Sequence, residues 1–364
     1  MNKYSKRELC LIWLDSFVGL EYKHKRELIP LIEEFADIPT VLDRAKDYLT
    51  LSLGEQVCKT LKTSANKEYL EFILKSYSDK GVSAVTILSD DYPNSLVDIS
   101  HPPIVIYYKG DIKLLSCELF AIVGSRKSLA LSLSIAENYT EQLIKAGFVP
   151  VTGIAEGVDG KVLATAYKMN GKAVSVIAGG FDHVYPKNNA DLVEKIAKTG
   201  LVISEYPPAT VPKPFNFPIR NRIIAGLSKG VLVVSGGIKS GTLYTAEYAQ
   251  EYSKDLFAIP YSVGVLSGAG CNELIKCGAI LTDTPKDILD FYGKQVEQVK
   301  ISLSDDEKKI VHALSDGQLH IEKICLAVNK PVFEITPLLS ILEIKGVLTK
   351  SGNVYSLIRN NLED

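Results

Sequence analysis

Apolar residues in roughly the first 75 positions recur three and four apart, as in Lys25–Phe35, Thr40–Tyr48 and Lys67–Lys80, with no alternation of the strand type. This part is read as short helices. The segment from Asp91 to Asp111 differs: its HPPIVIYYKGD run is rich in proline and β-branched residues and predicts an edge strand. From Leu119 to about Thr284 the pattern alternates. Nearly continuous apolar runs at 119–123, 148–152, 173–178, 201–204, 231–235 and 256–260 are mostly separated by amphipathic stretches such as Leu129–Lys145 and Thr242–Glu251. Strands apolar on both faces, with helices between them, predict a mainly parallel sheet covered on both sides. That is a doubly wound, Rossmann-like α/β domain whose crevice lies at the carboxyl ends of its strands.

Residues 293–304 (GKQVEQVKISLS) hold few large apolar side chains and read as a linker. Beyond it, Asp305–Asp316, Leu319–Val328 and Ile335–Lys345 predict three helices, and a small hairpin turns around Ser351-Gly-Asn353. Three helices with a two-stranded wing suggest a winged helix. The expected division is a helical domain at 1–88, a Rossmann-like domain at 89–292, the linker at 293–304 and a winged helix at 305–364.

Charge narrows the choice of partner. The 41 Lys and Arg against 43 Asp and Glu leave a net charge of −2, so the chain is no polycation, and any grip on phosphate chains must be local. A local excess exists: from Pro207 to Ala246 there are five cations (Lys213, Arg220, Arg222, Lys229, Lys239) and no acid. The six cysteines are scattered without a CxxC pair and the five histidines form no constellation, so neither disulfides nor a metal site is expected. No apolar run reaches membrane-spanning length and the first residues lack a signal-peptide pattern, which points to a soluble cytoplasmic protein.

The candidate chemistry sits at strand ends. The first strand of the alternating region ends in Val123-Gly-Ser-Arg126. There Gly124 permits a tight turn, Ser125 and free backbone amides can receive an anion, and Arg126 offers a planar fork for phosphate. A glycine at this turn also serves helix–strand packing, and spacing does not separate the two roles, because the GxGxxG fingerprint is absent. The second strand leads into Thr152-Gly-Ile-Ala-Glu-Gly-Val-Asp159, where Asp159 reads as a helix cap. After the third, Phe181 and Tyr185 beside Lys187 suit base stacking with a phosphate contact, or equally a buried aromatic pair. Pro218 suits a first helical position, which places Arg220, Asn221 and Arg222 in early turns where the helix dipole disfavours cations. Each arginine therefore needs a partner, either a structural carboxylate such as Glu205 or a ligand phosphate, and the structural pairing is expected for one of them but not both. The fifth strand ends in Ser235-Gly-Gly-Ile-Lys-Ser-Gly-Thr242, where Lys239, Ser240 and Gly241 form an anion nest that is not a P-loop. No nucleophile–base pair stands out.

Taken in order, VGSR, GIAxGVD, AGGFDxxYPKN, ISEYPP, FPIRNRIIAGLS, SGTLYTA and Gly270-Cys-Asn272 with Leu274-Ile275 and Gly278-Ala279 resemble the DNA-processing protein A (DprA/Smf) family over roughly residues 90–360. The resemblance implies an extended Rossmann-like fold with a helical SAM-like domain before it and a winged helix after it. It implies a dimer that binds single-stranded DNA and delivers the strand to the RecA recombinase in natural transformation, with no cofactor and no catalytic residue. Carried over by motif, the strand-binding residues are Ser125, Arg126, Lys187, Arg220, Arg222 and Lys239. Gly124, Asn221, Ser240 and Gly241 lie within the same motifs, and Phe217 or Phe181 is placed to stack a base. Three positions depart from the family pattern. Glu156 stands for the usual arginine, Leu163 for a histidine and Ser235 for a glutamate; the first puts an acid at the rim of the expected pocket and the last removes one. The rival from another class is a nucleotide-processing enzyme of the LOG-type phosphoribohydrolase kind, whose PGGxGTxxE loop Gly236–Thr242 with Glu247 resembles out of spacing and without the proline. A dinucleotide-dependent oxidoreductase is disfavoured by the missing GxGxxG. The winged helix has few cations (Lys323, Lys330, Lys345, Lys350) and is expected to contact protein rather than duplex.

Overall fold

A computed structural model describes residues 3–17, 20–296 and 303–357. The chain forms two compact units, Met1–Gln295 and Val296–Asp364. Half of the linker expected at 293–304, residues 297–302, falls outside the described residues.

In the first unit, six helices come first: α1 (Lys6–Asp15), α2 (Tyr22–Phe35), α3 (Ile38–Arg44), α4 (Lys46–Leu53), α5 (Glu55–Ser64) and α6 (Lys67–Asp79). The single helix expected at Thr40–Tyr48 is broken at Ala45, whose φ of −87° and ψ of 3° leave the helical region. Strands β1 (Ser83–Thr86) and β2 (Val105–Gly110) follow. The helices bury Trp13, Leu28, Ile32 and Leu61 in a core that also takes in Val105 and Tyr107 of β2.

The central sheet adds β3 (Leu119–Gly124), β4 (Val149–Thr152), β5 (Val174–Val176), β6 (Leu201–Ser204), β7 (Gly230–Ser235), β8 (Asp255–Ala258) and β9 (Ile280–Leu281). Helices α7 (Ala130–Lys145), α8 (Val158–Lys168), α9 (Ala190–Thr199), α10 (Asn216–Leu227), α11 (Leu243–Glu251), α12 (Ala269–Lys276) and α13 (Pro285–Phe291) accompany them. The strand order is β1-β2-β6-β5-β4-β3-β7-β8-β9. All pairings from β6 to β9 are parallel, while β1 and β2 add an antiparallel margin. The expected α/β class holds, and each of the six apolar runs is a strand. Two corrections apply. The HPPIVIYYKGD strand is not at the edge, because the unforeseen β1 pairs with its outer side. At the far margin, β9 is only two residues long and left no readable alternation.

The second unit comprises α14 (Asp305–Ala313), β10 (Leu319–His320), α15 (Ile321–Val328), α16 (Val332–Ile344), β11 (Leu348–Ser351) and β12 (Val354–Leu357). Ile310, Ile324, Leu339 and Tyr355 share its core. This is the expected winged helix with one more strand than foreseen. Leu319 and His320 pair with β12 instead of starting the helix, which begins after His320 as its N-cap.

Candidate nucleic-acid interface

The order of the parallel strands reverses between β3 and β7, and the loops leaving the two strands diverge there. The β3–β7 ladder also slips at Gly124, opposite Ser235. A cleft of about 500 Å³ opens at this point. Three segments wall it: the turn Gly124–Lys127, the entry to α10 with Pro214, Phe217, Arg220 and Asn221, and the loop Ser240–Thr242 before α11.

The turn after β3 is tied from both sides. Ser125 N–H donates to Ser235 Oγ at 3.2 Å, and the Ser128 hydroxyl donates to the Ser125 carbonyl at 2.6 Å. Gly157, before α8, has a φ of +80°, and a Cβ there would lie 2.3 Å from the Ser125 carbonyl oxygen. Only glycine allows the two turns to pack this closely. The Arg126 guanidinium then projects over the Phe217 ring, 5.0 Å from its centroid, and Phe217 meets Tyr185 edge-on at 5.7 Å. Neither Arg126 nor its neighbour Lys127 has an ion-pair partner among the described residues, and both are exposed. The site thus presents cations beside an aromatic face.

Beneath them lies Arg220, only 4% exposed. Its Nη1 donates to the Val176 carbonyl and its Nε to Asn221 Oδ1 at 3.2 Å, while Asn221 Nδ2 donates to the Gly241 carbonyl at 3.2 Å. One chain of hydrogen bonds therefore joins the floor of the cleft to the loop after β7. Burial pulls the Arg220 guanidinium down to about 10, against the attraction of Asp159 and with the repulsion of Arg126. It stays cationic at neutral pH. Asp159, in the first turn of α8, is pushed up by burial against the pull of Arg220. Gly153 makes room for this buried pair: a Cβ there would sit 2.5 Å from Asp159 Oδ2 and 2.6 Å from Arg220 Nη2.

The structure brings together Gly124, Ser125, Arg126, Phe217, Arg220, Asn221, Ser240 and Gly241. Lys187 and Lys239 do not line the cleft; both are exposed, Lys187 in the short 3₁₀ turn Lys187–Asn189 and Lys239 on a loop, and neither has an ion-pair partner among the described residues. Arg222 is elsewhere. Its Nη1 and Nη2 grip Glu205 at 2.8 and 2.5 Å, its Nε donates to the His101 carbonyl at 3.0 Å, and it is 5% exposed. Burial would lower its pKa, but Glu205 outweighs that and holds it above the usual value. Arg222 thus takes the carboxylate expected to serve one of the two arginines, and of the two only Arg220 lines the cleft. Lys127, Thr242 and Thr245 were not foreseen in the lining. For Lys127 the signal was present, a second cation in the same turn as Arg126.

The three departures have distinct surroundings. Glu156 is exposed, lies outside the lining of the cleft and accepts a 3.2 Å bond from Asn188 Nδ2. Ser235 uses its hydroxyl to hold the Ser125 amide. Leu163 is fully buried among Ile154, Val193 and Ile196, so an apolar side chain is what its surroundings accommodate.

A doubly wound sheet with a basic, aromatic cleft at its switch point defines the class of protein. The particular family follows from comparison. The model of the DNA recombination-mediator protein A family matches residues 83–293. The DNA processing protein DprA of Bacillus subtilis is 40% identical over 244 residues, 66% of this chain and 82% of that protein. Protein Smf of Escherichia coli is 30% identical over 288 residues, 74% of this chain and 76% of its own. The X-ray structure of DprA from Streptococcus pneumoniae superposes with a TM-score of 0.68 at 31% identity, covering 79% of this chain and 98% of that one. A structure of DNA processing protein A from Helicobacter pylori, described for its single-stranded DNA binding mode, gives a TM-score of 0.53 at 30% identity over 58% of this chain and 95% of that one. This chain belongs to the DprA/Smf family of DNA-processing proteins. Among the described residues no single helix is long and apolar enough to cross a membrane.

Proposed function

We propose that this protein holds single-stranded DNA in the switch-point cleft, protects incoming strands and loads the RecA recombinase onto them in natural transformation. It acts in the cytoplasm as a homodimer and has no catalytic step of its own. The observation that carries the reading is the Arg126 guanidinium 5.0 Å from the centre of the Phe217 ring, above buried Arg220. A cation for the phosphate beside an aromatic face for a base is how a protein grips a single strand without reading its sequence. The family relative described for its single-stranded DNA binding mode supports the choice of ligand. RecA loading and the dimer rest on the resemblance to the family.

The test is fluorescence anisotropy with labelled oligo(dT) and a matching duplex across a salt series, on wild type and Arg126→Ala. Preferential, salt-sensitive binding of the single strand that weakens by at least about tenfold in the variant is the expected result. Absence of single-strand binding at low salt, together with base release from AMP, would replace this reading with the phosphoribohydrolase one. RecA ATPase on strands coated with single-strand binding protein then reads loading directly. It should rise when wild type is added and stay low with Arg126→Ala.

A further inference from the structure

The entry to α10 walls two clefts. Pro214 and Phe217 face the one described above, while Lys213, Phe215 and Asn216 line another, of about 250 Å³, whose opposite side comes from Tyr22 and Lys25 of α2. That volume falls short of the ~300–1,000 Å³ that takes a drug-sized ligand, so the second cleft suits a single ring system.

Its polar groups point to a guest. Thr210 is 8% exposed and its Oγ1 has no hydrogen-bond partner, although its backbone is satisfied by Pro207 and Gly180. A buried hydroxyl left unmet costs free energy that a ligand donor or acceptor would return. The charges that line the cleft are otherwise neutralised. Asp15 holds Lys25 at 2.7 Å and accepts from Tyr107 Oη at 2.9 Å, and Glu205 is paired with Arg222. Lys213 is the remaining charge, exposed and without an ion-pair partner among the described residues, its Nζ 5.7 Å from the Phe215 ring centre. Phe215 itself is 59% exposed at the mouth. An aromatic face, an open cation and an orphan hydroxyl are complementary to one nucleotide.

We propose that this cleft is a second subsite for the same single strand, taking one base against Phe215 with its edge bonded to Thr210, while Lys213 holds the adjoining phosphate. The inference rests on the strand-binding reading. Phe217 is two positions on from Phe215, at most about 7 Å of chain, so neighbouring nucleotides reach both rings.

Affinities of oligo(dT) from roughly 4 to 16 nucleotides test it, since a single fold covers strands of that size. Phe215→Ala and Lys213→Ala are expected to weaken the longer oligomers roughly tenfold, about 1.4 kcal/mol, and to leave the shortest within about twofold. Thr210→Val should weaken long oligomers several-fold without lowering the melting temperature, because it removes an unmet hydroxyl. Equal losses at every length, or none at any length, overturn the subsite. So does saturable dTMP binding that depends on Phe215 while oligomer affinity does not, which would make the cleft a site for free nucleotide. Arg126→Ala in the same series separates the two readings. Loss there with Phe215→Ala unchanged overturns the second subsite alone, and failure of every oligomer to bind wild type overturns both.

Discussion

In the winged helix, four of the six described lysines are matched to acids of the same unit: Lys308 to Asp305, Lys309 and Lys330 to Asp306, Lys330 also to Glu334, and Lys345 to Glu307. Around the switch point, Arg126, Lys127, Lys187 and Lys239 have no such partner among the described residues. Both regions carry cations, and the difference lies in where the countercharge comes from. A lysine already paired must give up one carboxylate to meet a phosphate. An unpaired one meets the phosphate without that loss and displaces the cations condensed on the DNA, which is the source of salt-dependent affinity. Pairing, more than cation count, marks the surface suited to a polyanion. The same contrast recurs within α10, where Arg222 is locked to Glu205 and Arg220 underlies the open cleft.

Breaking the internal pair is expected to give the largest effect. Arg222→Ala leaves the largely covered Glu205 side chain, 13% exposed, without its partner and should cost about 3 kcal/mol in urea unfolding, while the folded fraction keeps its single-strand affinity. A loss of affinity larger than the loss of folded protein would show that Arg222 contacts the strand. Next come the unpaired cations. Lys127→Ala, Lys187→Ala and Lys239→Ala should each lower affinity several-fold and, where the lysine neutralises one phosphate, make the salt slope shallower by about 0.7. Lys330→Ala in the winged helix should change neither quantity, and a matching drop there would dissolve the contrast. Glu156→Arg, which installs the usual family residue beside Asn188, should raise affinity a few-fold and steepen the slope, as salt titration of oligo(dT) binding would show.

The smallest effect concerns pH. The Lys345 ammonium, against opposing burial and helped by the Ser304 amide and hydroxyl, holds Glu307 below its ordinary value of 4.5. The folded state therefore binds this proton less readily than the unfolded chain. Its stabilisation is present above about pH 4.5 and is lost as pH falls through the lower folded value. Hydrogen exchange in α14 between pH 3 and 6 should show protection fading on the acid side, and Glu307→Gln should flatten that dependence.

Much of the architecture was legible because its signals are local. Strands buried on both faces read as apolar runs, and the glycines at the ends of β3 and β7 and before α8 announced tight turns. The motif order placed the family, and Gly124, Ser125, Arg126, Phe217, Arg220, Asn221, Ser240 and Gly241 do meet in one cleft. Short elements left weaker traces. β1 and β9 carry too few residues to show alternation, and β10 was absorbed into the helix that follows it. Lys187 and Lys239 sit in the expected motifs but are exposed outside the cleft, a placement set by the paths of the connecting segments that no periodicity encodes.

By itself, then, the sequence determined the alternation of strands and helices, the turns that permit close approach and an acid-free stretch from Pro207 to Ala246. Only the tertiary structure decided which of its cations remain available. Successive helical residues turn by about 100°, so Arg220 and Arg222 point to nearly opposite sides of α10. One side faces the ends of the parallel strands and the other faces Glu205 and His101. Countercharges brought together from Glu118 for Lys229 and Glu205 for Arg222 come from outside the stretch, and their proximity exists only once the sheet has formed.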